Sequence, residues 1–332
     1  MKKCLFVLMV CLMATGAYAS NSWATAVGDW SVATNWGGGH TPIDTDGEIK
    51  IIKIATTSCN LTSDAGSFTA TKMTVSGNGA LTLNILPGAS MKSGSEFTVG
   101  CGTAGAGVPT GKVVQTGGTI TLNDNAGTGI GKLELGYRSG SAGIGNGTYT
   151  ISGGTINGSG GIYVGAMAGI TYTATAGGPS GSVGRLVVQG NGGTISVGGP
   201  LFVGTGDATG TFTGTGTLEY QIVGGGVSAI QTNGGVYIDP TAEAAAVANL
   251  IVSITSGVPA AVILLVDNTG ANAVTGVFDS VTLGAGLENY TLDYQYNNSN
   301  GSLTGGNDIA LVPEPVTIAL LGLGFLAIRR KK

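Results

Sequence analysis

The sequence predicts an all-β chain: a parallel β-solenoid of the three-sided β-helix kind, closed by β caps, with a cleavable leader before it and a short apolar helix after it. Three observations predict this. Gly supplies 62 of 332 residues and charged residues only 10%, against roughly 25% charged in an ordinary soluble domain. Short strand-like phrases recur in step through the middle of the chain. Each end carries an apolar stretch beside a basic cluster.

Residues 1–19 read as a secretory signal peptide. Lys2 and Lys3 form its charged start and Leu5 to Ala14 its apolar part. Ala17-Tyr18-Ala19 is a small-x-small cleavage pattern that leaves Ser20 as the new N-terminus. The apolar part is too short for a permanent span of about 20 residues.

Residues 20–96 are expected to form an N-terminal cap and the first β coils. All three Trp lie here: Trp23, Trp30 and Trp36. An open solenoid end exposes backbone edges and core, so it needs a cap. Cap packing is the favoured reading of these Trp, and a sugar-stacking platform is the alternative. Asp44, Asp46 and Glu48 place oxygens at alternate positions around Gly47. That is a partial calcium-loop pattern, and Asp-x-Asp-Gly is also an ordinary turn sequence.

Residues 97–226 carry the repeat. Gly-Gly-Thr-Ile occurs at Gly117–Ile120, Gly153–Ile156 and Gly192–Ile195. A second phrase runs in step as Phe97–Gly100, Leu133–Gly136, Ile162–Gly165 and Leu201–Gly204. A third lies between them as Lys112–Gln115, Thr148–Ile151 and Arg185–Val188. One such unit cannot bury its apolar side alone; stacked units can, each apolar position resting on its counterpart. Interior Gly disfavours helix by about 1 kcal/mol each. A β-sandwich would also show short strands, but it does not explain phrases that recur in step.

Residues 227–311 read as a C-terminal β cap, with strands at Ile251–Ile254, Val262–Val266, Tyr290–Tyr296 and Asn307–Leu311, and one helical turn at Ala242–Val247. Residues 312–332 begin with Pro313, Glu314 and Pro315, continue through apolar Val316–Ile328, and reach Arg329, Arg330, Lys331 and Lys332. Thirteen residues make a helix of about 20 Å, short against a hydrocarbon core of about 30 Å. The basic cluster suits a membrane segment whose ends snorkel to the cytoplasmic face, in preference to a buried core helix.

Pro-Glu-Pro, a short apolar helix and a basic cluster in that order resemble the PEP-CTERM sorting signal of exosortase-bearing Gram-negative bacteria. The resemblance covers about 20 residues. It implies export machinery, signal peptidase and an exosortase as partners, transient inner-membrane anchoring, cleavage near Pro313-Glu314-Pro315, and delivery to the cell surface or matrix. The Trp segment with Asn35-Trp36, Gly37–Gly39 and Pro42, and the closing Gly305-Gly306-Asn307-Asp308-Ile309, resemble segments of bacterial autotransporter-associated β-helix proteins.

Between Ser20 and Val312 lie 8 basic and 17 acidic residues, a net charge of −9. An acidic chain with no basic patch argues against nucleic acid as a partner. The one His, His40, removes any His-based triad or multi-His metal site within the chain. No cofactor is expected. Cys59 and Cys101 are the cysteines beyond the leader, either paired or buried as thiols. Glu134 stands where other units have Thr98, Tyr163 and Phe202, and is read as a solvated outer-face residue near Lys132 and Arg138. The sequence therefore points to a non-enzymatic surface or matrix protein with a structural or adhesive role. The alternative is a protein that binds extracellular polysaccharide, or degrades it as a lyase or hydrolase. A row of exposed aromatics or of clustered carboxylates along one face would favour that alternative.

Overall fold

The computed structural model describes residues 20–52, 57–68, 72–94, 96–101, 108–123, 131–136, 144–165, 181–204, 214–239, 246–259 and 261–314. The expected signal peptide, Arg138, Pro315 and the apolar and basic tail lie outside these residues. Among the described residues no helix is long and apolar enough to cross a membrane.

The chain is all-β. An eight-stranded sheet forms a first row, from Asn21–Ser22 through Glu48–Ile51, Lys72–Val75, Phe97–Val99, Leu133–Leu135, Ile162–Val164 and Leu201–Val203 to Val236–Ile238. Every pairing in it is parallel. A sixteen-stranded sheet divides into two further rows. The division arises because Thr110–Leu122 and Asn146–Gly158 each serve both. Their first halves continue the second row, with Thr57–Leu61 and Leu81–Ile85 on one side and Ser182–Gln189, Gly214–Ile222 and Val247–Ile254 on the other. Their second halves continue the third, from Ser90–Ser93 to Gly193–Val197, Ile230–Thr232 and Ile263–Asn268. Each row gains one strand per pass of the chain, an arrangement compatible with a β-solenoid.

The phrases that recur in sequence fall side by side. Phe97 pairs with Leu133, Leu133 with Ile162 and Ile162 with Leu201. Lys112 pairs with Thr148, and Thr119 with Thr155. Parallel pairing is not confined to residues 97–226: it starts at Asn21 and reaches Leu283, where Ser280–Leu283 lies along Val247–Ile254. The first units lack the repeated phrases but keep the alternation, with Ile49, Ile51, Met73 and Val75 all buried.

Alternation sends one residue in two inward. Leu133 and Leu135, Ile162 and Val164, and Leu201 and Val203 fill the interior under the first row, joined by Tyr149 and Tyr220 from the second. A buried phenol needs a partner. The Tyr149 hydroxyl donates to Gln115 Oε1 at 2.7 Å, and the Tyr220 hydroxyl to the Leu265 carbonyl at 2.7 Å. Four successive first-row strands end at a Gly with positive φ: Gly100, Gly136, Gly165 and Gly204. At Gly136 φ is +70°, and a Cβ there would lie 2.3 Å from the Val183 carbonyl, so backbone conformation and close approach both demand Gly.

At the C-terminal side the pairing changes sense. Asp308–Pro313 runs antiparallel to both Ile263–Asn268 and Tyr290–Tyr296. The helical turn expected at Ala242–Val247 is not formed at its described end: Val247 opens a strand paired with Thr215, and residues 242–245 lie outside the described residues.

Candidate functional site

Among the described residues the outward side of the first row gathers Glu48, Lys50, Lys72, Glu96, Lys132 and Glu134. At its edge position the register places Glu48 beside Lys72, Lys72 Nζ reaches Glu96 Oε2 at 2.8 Å, and Lys132 Nζ lies 3.6 Å from Glu96 Oε1. Acid and base thus alternate across four successive strands. The neighbouring position runs Lys50, Thr74, Thr98, Glu134, Tyr163, Phe202, Tyr237. Thr98 donates to Thr74 Oγ1 at 3.1 Å, and Thr74 to Glu48 Oε1 at 2.6 Å. The three aromatic rings stack, with centroids 5.0 and 4.6 Å apart and planes 15° apart.

Glu134 corrects the sequence reading. It is 0% exposed, not solvated. Lys132 Nζ sits 3.1 Å from its Oε1, yet among the described residues neither carboxylate oxygen accepts a well-directed hydrogen bond. Burial pushes its carboxyl up to about 7; Lys132 opposes the shift and Glu96 adds to it. Burial alone would raise Glu96 too, but the hydrogen bond from Lys72 and the charges of both lysines hold it below the ordinary carboxylate range. The same pair raises Lys72 against the desolvation that would lower it. Tyr163, facing Glu134 and lying under Lys132 at 5.8 Å, is pushed up to about 12, first by burial and then by the Glu134 charge. Alternation marks Glu134 as outward; that an outward position is also covered leaves no mark in local sequence.

The Trp platform is not available to a sugar. Trp23, Trp30 and Trp36 are each 2% exposed and pack edge to face, with centroids 5.1 and 4.8 Å apart. The Trp36 indole donates to the Trp30 carbonyl at 2.8 Å. These rings close the N-terminal end of the core against Phe68. In the aromatic row on the first face Phe202 is stacked on both sides, while Tyr163 lies between Phe202 and Lys132.

The calcium pattern is not assembled. Asp46 is buried and accepts from the Ile43 amide at 2.9 Å and Asn21 Nδ2 at 3.3 Å, with His40 Nε2 at 3.7 Å. Glu48 instead faces the first row, ion-paired with Lys50 at 3.0 Å. Among the described residues no three His, Cys, Asp or Glu side chains gather as a metal site. Cys59 and Cys101 are free and buried, with burial pushing the Cys101 thiol up to about 11 and the Cys59 thiol higher. Pro313 ends the last strand, and the Glu314 amide donates to the Asn289 carbonyl at 2.7 Å. Pro313 and Glu314 of the expected sorting pattern therefore lie directly at the end of the antiparallel pairing.

Comparison with protein-family models, with curated proteins and with solved structures finds no match.

Proposed function

We propose that this chain is an exported, exosortase-processed protein of the cell surface or extracellular matrix, a β-solenoid rod with a structural or adhesive role. The observation that carries the reading is how the outward side chains are used. On the first two rows they bond from unit to unit: Glu48 to Thr74 to Thr98, Asn84 to Asn60 and Ser58, Arg185 to Glu219, Tyr163 to Phe202 to Tyr237. Such ladders brace a rod along its length. A catalytic centre instead needs polar groups converging on an open cleft.

Among the described residues Glu134 is the feature that favours an enzyme, because a carboxyl shifted towards neutrality often marks an active site. It has no exposed surface, and glycoside hydrolysis needs two carboxyl groups flanking a bound sugar. The structural reading therefore stands ahead of a lyase or hydrolase.

The order of events is export through the signal at residues 1–19, a pause at the inner membrane held by residues 316–328, and cleavage near Pro313-Glu314-Pro315. Intact mass spectrometry of the protein recovered from its native surface tests it. Masses that lack residues 1–19 and the tail beyond the motif are expected. A chain retaining Arg329–Lys332 would sink the processing step.

A further inference from the structure

The three rows differ in how tightly their outward chemistry is held. Outward positions of the first row pass from Lys50 through Thr98 and Glu134 to Phe202. Those of the second pass from Asn84 through Val114 and Thr150 to Glu219. The third row does not vary in this way. Its three central strands present Thr119 and Thr121, Thr155 and Asn157, Thr194 and Ser196, aligned in two files by direct register.

Packing explains the rest of that phrase but not these residues. The Gly pair is required because the backbone of the preceding unit passes too close: a Cβ on Gly153 would meet the Thr116 carbonyl oxygen at 2.4 Å, and one on Gly192 the Ser152 carbonyl oxygen at 2.5 Å. Ile120, Ile156 and Ile195 are core residues, at most 1% exposed. Strand preference alone would admit Val, Ile or Tyr at the outward positions, and the second row does carry Val114, Val187 and Ile251 there. The six residues of the third row are all hydroxyl or amide. They are part-exposed or exposed. Among the described residues only Ser196 uses its side chain within the protein, donating to Gln231 at 2.7 Å. On the first row the outward polar groups Glu48, Lys50, Lys72, Thr74, Glu96, Thr98 and Lys132 are engaged by neighbours. Among the described residues the second row mixes bonded groups such as Asn84, Arg185 and Glu219 with a free cation at Lys112 and apolar Val114 and Val187.

The result is a neutral array of donors and acceptors on a parallel sheet. Its spacing is about 4.8 Å between strands and roughly 6.6 Å between alternate residues of one strand. Among the described residues charge enters at its margins, with Lys92 on one side and Asp267 beyond Gln231 on the other. A lipid or apolar protein surface would leave these hydroxyls dry and unpaired, which is unfavourable. A polyanion would find no cation in the centre. A polymer whose own surface is a repeat of neutral hydroxyls can exchange hydrogen bonds with every file.

We propose that the outward face formed by Thr119, Thr121, Thr155, Asn157, Thr194 and Ser196 binds a neutral extracellular polysaccharide along the rod. The proposal takes its setting from the surface-adhesion reading and names the adhesive face.

The test is co-sedimentation of the full-length protein with microcrystalline cellulose, a neutral insoluble glucan, and separately with alginate-coated beads, an anionic one. The combined variant Thr119→Val, Thr155→Val and Thr194→Val keeps β-branching and so the strands; circular dichroism checks this. Retention on cellulose should weaken at least about tenfold, the loss of several hydrogen bonds to the glucan. The matching Thr→Ser variant should hold within about threefold, since the hydroxyl remains. Equal retention of the Val variant and wild type overturns the proposal. So does retention on alginate alone, or no retention on either. Slowed ice recrystallisation without any retention would hand the face to ordered water and also overturn it. The assay uses isolated protein, so a failure of surface processing leaves its outcome unchanged, and the two readings fail separately.

Discussion

Replacing Glu134 with Gln should stabilise the protein at alkaline pH and leave it nearly unchanged at acid pH. The carboxyl is fully buried, and burial raises it from an ordinary 4.5 to about 7. The folded state therefore holds this proton more tightly than the unfolded state. Its contribution is fully present below about 4.5, falls as pH rises towards 7, and is gone above that. At 1.36 kcal/mol for each pH unit of the gap, wild type should lose roughly 3 kcal/mol between pH 4.5 and pH 8 from this group. Glu96 does not blur the window. Its carboxyl is held low by Lys72 and Lys132, so its stabilisation is lost only on acidification through its lowered value. Gln fills the same volume without the charge, and Lys132 keeps Glu96 at 3.6 Å. Urea unfolding followed by circular dichroism at pH 5 and pH 8 reads the difference. The fall across that interval should be smaller in Glu134→Gln by about 2–3 kcal/mol. Parallel stability curves for the two proteins would refute the assignment of a buried, proton-holding carboxyl.

Three further outcomes follow from the geometry. Gly136 and Gly39 share positive φ, +70° and +72°, but a Cβ on Gly136 meets the Val183 carbonyl while one on Gly39 meets nothing within 4 Å. Gly39→Ala should thus cost about 1 kcal/mol and Gly136→Ala more than about 3 kcal/mol, as thermal unfolding would show; equal costs would disprove the steric argument. Phe202→Ala removes both ring stacks and should destabilise more than Tyr237→Ala, which removes one, by about 0.5–1.5 kcal/mol beyond lost area; chemical denaturation compares them. Cys59 and Cys101 are buried thiols raised well above their ordinary range, so at pH 8 a thiol reagent should label them only on unfolding, and rapid labelling of the native protein would contradict their burial.

The parts of the fold legible in the sequence are those fixed by local chemistry. Gly-Gly-Thr-Ile and its companion phrases show the register because each unit solves the same packing problem, with Ile120, Ile156 and Ile195 in one core column. The first units were expected as β coils, but their register was not legible because only alternation survives there: Ile49, Met73 and Phe97 share a column without sharing a residue type. The burial of the three Trp was legible in preference to a sugar platform, since rings of such apolar area are more often packed than presented. Glu134 was misread because alternation tells inside from outside but cannot tell whether the outside is covered. The uniform third face was present in the repeat phrase itself, but its meaning depends on contrast with two other faces, and that contrast needs the register.

Stacked units create a problem of pairing, because a strand that skips one unit still meets an apolar side chain with an apolar one, as Ile49 would meet Phe97. The first row carries a safeguard against this. Glu48, Lys72, Glu96 and Lys132 alternate in sign along the edge position, so correct stacking sets opposite charges side by side. Skipping a unit sets Glu48 against Glu96 or Lys72 against Lys132, and directly opposed like charges are destabilising. Lys72 is the sharpest place to test this, because it has an acid on both sides and keeps a 2.8 Å bond to Glu96. Lys72→Gln removes that bond and should cost roughly 2 kcal/mol, the range for a hydrogen bond to a charged partner. Lys72→Glu sets three acids in file and should cost clearly more, with the excess falling as salt screens the repulsion. Urea unfolding of both variants at low and high salt separates the two terms. If the Gln and Glu variants lose the same stability at low salt, the alternation does not specify the stacking.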